Sequence, residues 1–134
     1  MKPGSLETTL RGFFSTGPPG IVAVYLFGSQ ARQTATATSD VDIAVLYGEP
    51  PPRSLEGLPL DLEAELERSV GVPAQVVVLN HAPVDLVHRV LRDGTLLVDN
   101  DASRRIRFEV KARNEFFDLQ PVLARYRAPR TAAR

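Results

Sequence analysis

LFGSQARQTATATSDVD, residues 26–42, joins two apolar segments through a Gly-Ser turn and brings two aspartates onto the start of the second. Upstream, IVAVYLF (21–27) is a continuous β-branched and aromatic run, the pattern of a buried strand. Downstream, VDIAVLY (41–47) is a second. Between them, Gly28-Ser29 ends the first strand, QARQT predicts a short helix, and the small polar TATATS (34–39) predicts a loop. Asp40 and Asp42 stand at i and i+2, and alternate strand residues share a face, so the two carboxylates project together. Two adjacent carboxylates repel unless something positive lies between them. A hard divalent cation such as Mg²⁺ is the usual occupant, and it commonly bridges to phosphates. A helix N-terminus after Gly28 offers free N–H groups and a positive dipole end to an anion. Gly28 permits close backbone approach, the Ser29 hydroxyl can donate to a phosphate oxygen, and Arg32 can pair with phosphate charge. No acid occurs from Thr8 to Ser39 to oppose an anion there. Each piece alone is common, since a D-x-D is usually a solvated pair and an arginine a surface residue. Together, on successive strand–turn–helix and loop–strand units, they are far more specific.

Outward from this stretch, the pattern alternates. Residues 5–14 predict a short helix opened by Ser5, and Gly17 to Gly20 stop it. After the GEPPP turn (48–52), Pro59 starts a helix through LDLEAELERSV, with Leu58, Leu62, Leu66 and Val70 at four-residue spacing. Gly71 is a natural helix-ending residue. AQVVVL (74–79) predicts a third strand. Pro83 opens the helix VDLVHRVLRD, Gly94 closes it, and TLLV (95–98) is a short strand. Residues 101–120 predict a long helix, with Pro121 a break or kink before VLARYR. Strands separated by helices predict an α/β sheet layered with helices. One domain is expected over residues 1–134, with 101–128 as a C-terminal helical segment and 129–134 frayed.

Composition narrows the function classes. The 134 residues suit one domain of the usual ~100–200. With 43% hydrophobic and 24% charged residues, the chain can build a core. Without cysteine there is no disulfide framework, thiol nucleophile or thiolate metal site. His81 and His88 cannot alone make a typical zinc site. Sixteen basic residues balance sixteen acidic ones, which disfavours direct binding to nucleic acid through bulk charge. The zero conceals a division: residues 1–100 carry seven basic and twelve acidic side chains, residues 101–134 nine and four. No apolar run approaches the ~18–20 residues of a membrane span. The N-terminus lacks the apolar stretch of a signal peptide. A soluble, cytoplasmic protein with no membrane contact is the expectation.

The run Gly28-Ser29, ten residues, then Asp40-x-Asp42 resembles the G-S-x10-D-x-D signature of minimal nucleotidyltransferases in the polymerase-beta-like superfamily. The stretches LNHAPVDLVHRVLRDGTLLVDN and FEVKARNEFFDLQPVLARYR resemble the MntA antitoxins, partners of HEPN-domain HepT toxins. The resemblance implies a minimal nucleotidyltransferase fold: a mixed sheet flanked by helices, with a long C-terminal helix. It implies Mg-ATP bound at Gly28, Ser29, Asp40 and Asp42, with Arg32 assisting and the two aspartates as metal ligands. It implies transfer of AMP to a tyrosine hydroxyl of a HEPN toxin, with which the chain would form a hetero-oligomer.

One position departs from that pattern. The third carboxylate such enzymes carry on a later strand falls here on Gln75, and no acid occurs between Arg68 and Val84. An amide can offer a neutral oxygen to a metal but has no proton to exchange near pH 7. The alternative is therefore a catalytically weak or inactive nucleotidyltransferase-fold antitoxin that neutralises its toxin by binding alone. His81, which comes just after the third strand, is a candidate stand-in base, though a loop histidine is the plainer reading. In the basic C-terminal segment, Ile106, Val110 and Phe117 can share one helix face, and Phe116, Leu119, Leu123 and Tyr126 another. These faces either dock the helix on its own sheet or serve a partner. Arg113, Phe116, Phe117 and Tyr126 are the partner-binding candidates.

Overall fold

A computed structural model describes residues 3–28, 40–50 and 59–127, without the side chains of 3–5, 122–124, 126 and 127. The helix expected over QARQT, the TATATS loop, Leu58 and the frayed 129–134 lie outside the described residues. Helix α1 (Pro3–Ser15) comes first, then β1 (Ile21–Phe27) and β2 (Val41–Tyr47). Helix α2 (Leu60–Val70) and β3 (Ala74–Val78) come next, then a 3-10 turn at Leu79–His81 and α3 (Val84–Asp93). Strand β4 (Thr95–Asp99) leads into the 26-residue α4 (Ala102–Arg127). The α1 helix starts at Pro3, so Ser5 lies inside its first turn and is not the cap; a proline's fixed φ suits a first helical position.

The four strands form one mixed sheet in the order β3-β2-β1-β4. The β1 strand pairs antiparallel with both β2 and β4, and β2 pairs parallel with β3. Register shifts within β1, one of them between Ile21 and Ala23, put Val22 and Ala23 on the same face. Leu6, Leu10 and Phe14 of α1 and Leu62, Leu66 and Val70 of α2 cover one face of the sheet, over Val24, Leu26, Ile43 and Val45. Val87 and Val90 of α3 and Ala112 of α4 cover the other, over Val22, Tyr25, Ala44 and Leu46. Leu10 and Leu66 are fully buried, so truncating either to alanine costs about 2–5 kcal/mol.

Strand β3 is an edge, whose outward N–H groups need partners. The α2 acids supply them: Val76 N–H donates to Glu63 Oε2 at 2.7 Å, and Ala74 N–H to Glu67 Oε2 at 3.0 Å. Gly71 ends α2 at φ +79, donating its N–H to the Glu67 carbonyl at 2.8 Å. Pro121 does not break α4, which is helical on both sides of it. A proline removes one backbone hydrogen bond, and the flanking turns carry the helix through that loss.

Tyr25 fastens α4 to the sheet. Its hydroxyl donates to Glu109 Oε2 at 2.7 Å. Arg105 bridges Glu109 at 3.1 Å and Asp99 at 3.0 Å, tying the end of β4 to the same point. Burial, and next the hydrogen bond to Glu109, push the Tyr25 phenol well above its ordinary value. Sequence reasoning misses this cluster; its one signal is the four-residue spacing of Arg105, Glu109 and Arg113.

Candidate active site

The β1 and β2 strands meet at one pole of the sheet. Phe27 and Asp42 are register partners across the antiparallel pair, and Asp42 and Gln75 across the parallel one. Register partners point to the same side, so Asp42 and Gln75 present their side chains side by side. That is the neighbour relation expected of a third carboxylate, with an amide in its place. Asp40 is exposed, one residue before β2. Asp42 is half-buried on the face it shares with Ala44 and Leu46.

Gly28 closes β1 at φ +76, a conformation L side chains rarely adopt. A Cβ there would overlap Asp42 Oδ2 and lie 3.1 Å from its Cγ. Glycine therefore does two things at once: it allows the left-handed turn and leaves room for the Asp42 carboxylate against the backbone. Ser29 and Arg32 lie outside the described residues.

His81 is not near this pole. Strand β3 runs from Ala74, level with Val41, to Val78, level with Val45, and His81 comes beyond Val78. At ~3.3 Å per strand residue, the three steps from Gln75 to Val78 already carry the chain about 10 Å away. The stand-in base reading is thus corrected: closeness in sequence to β3 said nothing about which end of the strand was meant. At that opposite pole Asn80 binds the end of β2, accepting from Tyr47 N–H and donating to the Tyr47 carbonyl, both at 2.9 Å. A cleft of about 400 Å³ beside it is lined by Tyr47, Gly48, Asn80, Arg104, Arg107 and Phe108. Glu49 is the one carboxylate among its lining residues. Among the described residues, no three His, Cys, Asp or Glu side chains gather as a metal cluster.

The partner-binding candidates separate. Phe116 stacks flat on His88, with centroids 3.6 Å apart and planes 2° from parallel, joining α4 to α3. Phe117 is 68% exposed. Arg113 is half exposed and lies 3.8 Å from Glu109. The Tyr126 side chain lies outside the description. Among the described residues, no helix is long and apolar enough to cross a membrane.

Comparison with curated protein sequences finds no match. Several solved structures share the fold. A chain from a crystal structure of a toxin–antitoxin with AMP-PNP superposes with a TM-score of 0.73 at 23% identity, covering 91% of this chain and 98% of its own. A chain from a tri-AMPylated Shewanella oneidensis HEPN toxin in complex with MNT antitoxin gives 0.70 at 21% identity, covering 95% and 100%. A putative nucleotidyltransferase from Sulfolobus solfataricus gives 0.53 at 19% identity, covering 73% and 84%. The α1-to-α4 arrangement around the mixed sheet is thus a minimal nucleotidyltransferase fold with a long C-terminal helix. The family model for "Polymerase beta, Nucleotidyltransferase" matches residues 9–103, which takes in all four strands and the Gly28–Asp42 pole, and this chain belongs to that family.

Proposed function

We propose that this chain is an antitoxin nucleotidyltransferase, which transfers AMP from ATP to a tyrosine hydroxyl of a HEPN-domain toxin and so silences it. The observation that carries the reading is Asp42 seated against Gly28, with Gln75 beside it in register, in a chain of this family. The partner is supported by the shared fold with chains of toxin–antitoxin complexes, one solved with AMP-PNP and one with a tri-AMPylated toxin.

The residues fit a hard divalent cation. Two carboxylates on one edge and a neutral amide oxygen form an oxygen donor set, and the glycine leaves the Asp42 carboxylate its place. Asp40 and Asp42 would hold Mg²⁺, with Gln75 as a neutral third donor. When bound, the metal offsets negative charge at the transferring phosphate. Gly28 and Ser29 would seat the triphosphate at the turn, and Arg32 would pair with it. The acceptor oxygen bonds to the α-phosphorus, the bond to pyrophosphate breaks, and the hydroxyl proton must leave. Gln75 cannot take that proton. It passes to an aspartate or to water. Positioning and charge placement do most of the work in such transfers.

Labelled ATP with Mg²⁺ and the HEPN partner tests this. The partner should become labelled, and Asp42→Ala should abolish the label. An unlabelled authentic partner would overturn the transfer. Gln75 beside Asp42 also favours a second reading, a weak or inactive enzyme that neutralises by binding alone. In that case Asp40→Ala with Asp42→Ala still protects cells from the toxin. Gln75→Asp separates the two: a large gain in transfer means the amide cripples the native site, and no gain means the amide suffices.

A further inference from the structure

Ile106, Val110 and Phe117 of α4 are 49%, 49% and 68% exposed. They recur at four and seven residues, so they form one stripe along the helix, with the half-exposed Arg113 between them. The inner face is occupied: Glu109 holds Tyr25, Ala112 is buried, and Phe116 lies on His88. Docking on its own sheet therefore leaves the stripe uncovered. Single exposed apolar residues are ordinary, but several aligned on one helix mark a contact surface.

The α4 helix packs across the pole of the sheet opposite Gly28 and Asp42. Its first turns lie at that pole, where the Arg104 guanidinium packs on Gly48. Glu109 is level with Tyr25, and Phe116 with His88 in the middle of α3. Lys111, Ala112 and Glu115 then pack beside Leu79–Ala82 and Val84, still at the pole opposite Gly28 and Asp42.

Two observations choose the occupant of the stripe. The family model stops at residue 103, so α4 lies outside the matched core. The toxin–antitoxin chains nevertheless cover 91% and 95% of this chain, which takes in most of α4, while the Sulfolobus solfataricus nucleotidyltransferase covers 73%. The stripe is flanked by Arg104, Arg107, Lys111 and Arg113, all exposed. We propose that the outer face of α4 is the docking surface for the HEPN toxin, taking a toxin face of apolar side chains edged by carboxylates. This rests on the antitoxin reading above.

Val110→Glu and Arg113→Glu test it, with affinity for the HEPN partner measured without ATP. Each should weaken toxin binding by about tenfold or more, with AMP-PNP affinity and melting temperature unchanged. The loss for Arg113→Glu should shrink at high salt. The chain has no cysteine, so Asn114→Cys at the edge of the stripe can carry a single fluorophore. Toxin should shift its emission even if a charge variant folds poorly. Unchanged toxin affinity in both variants, or an unmoved fluorophore in the complex, overturns the proposal. So does a dimer of this chain alone that Val110→Glu dissociates while toxin binding persists. The two readings fail separately. Wild-type chain that binds toxin through the stripe without labelling it sinks the transfer and leaves the docking face. Wild-type chain that labels toxin, with variants that bind it normally, does the reverse.

Discussion

A methyl group at position 28 would meet two obstacles. Gly28 sits at φ +76, where an alanine carries about 1–2 kcal/mol of backbone strain. Its Cβ would also claim the space of Asp42 Oδ2. Gly28→Ala is therefore expected to lower labelled AMP transfer by at least about tenfold, since a displacement near 1 Å is already that costly to a positioned group. Melting should fall by no more than the strain allows. Transfer equal to wild type would show that the Asp42 seat is not needed. Tyr25 gives a pH signature at the same scale. Its folded pKa is raised above the unfolded value of 10.0 by burial and the Glu109 hydrogen bond. Below pH 10 both states keep the proton and stability is at its full value. Above it the unfolded chain loses the proton first, so stability falls as pH rises, by about 1.4 kcal/mol per unit. Denaturant melts from pH 9 to 11 should show a shallower alkaline decline for Tyr25→Phe than for wild type. Equal slopes would mean that the phenol is not held as the geometry describes.

Elements were more legible than the way they turn towards one another. β1 and β2 are read from the sequence at their observed bounds, because continuous β-branched runs between glycines and prolines leave few alternatives. Gln75 is singled out in the sequence only by the family resemblance, and its place beside Asp42 comes from the register of β2 and β3. The pole on which His81 falls is not legible, since it depends on β3 running parallel to β2, a tertiary choice. The rotation of α4 is equally hidden: Phe116 and Phe117 are adjacent in sequence, about 100° apart around a helix, and the helix pattern fits either face. Contacts decide it, with Phe116 on His88 and Phe117 in solvent. Phe116→Ala should destabilise the chain by about 1–3 kcal/mol, from lost burial and lost ring stacking. Phe117→Ala should leave melting within about 0.5 kcal/mol. Thermal melts of the two variants check this directly; similar losses would put both rings in the core and remove the distinction between the inner and outer faces of α4.

For the whole molecule, the division of charge coincides with a division of labour. The acidic first hundred residues hold the Gly28–Asp42 pole, and the basic remainder is dominated by α4. The sequence leaves open whether α4 docks on its own sheet or serves a partner, and the family match ending at residue 103 suggests an appendage. Packing argues otherwise. Ala112 and Phe108 cover the sheet face that carries Val22, Tyr25 and Leu46, and they lie beside Val87 and Val90 of α3. Uncovering even a few of these side chains costs roughly 1.5–3 kcal/mol each, against a typical domain stability of about 5–15 kcal/mol. A chain ended after residue 103 keeps all four strands and loses that cover, together with the Glu109 partner of Tyr25. Its sheet face should bind a hydrophobic dye, and its thermal transition should become broad or vanish, as in states that keep secondary structure but lose fixed packing. A sharp transition near the full-length temperature would make α4 a separable arm. The inner face of the helix would then be as free for a partner as the outer one, and the assignment of Phe116 to the fold and Phe117 to the surface would fall with it.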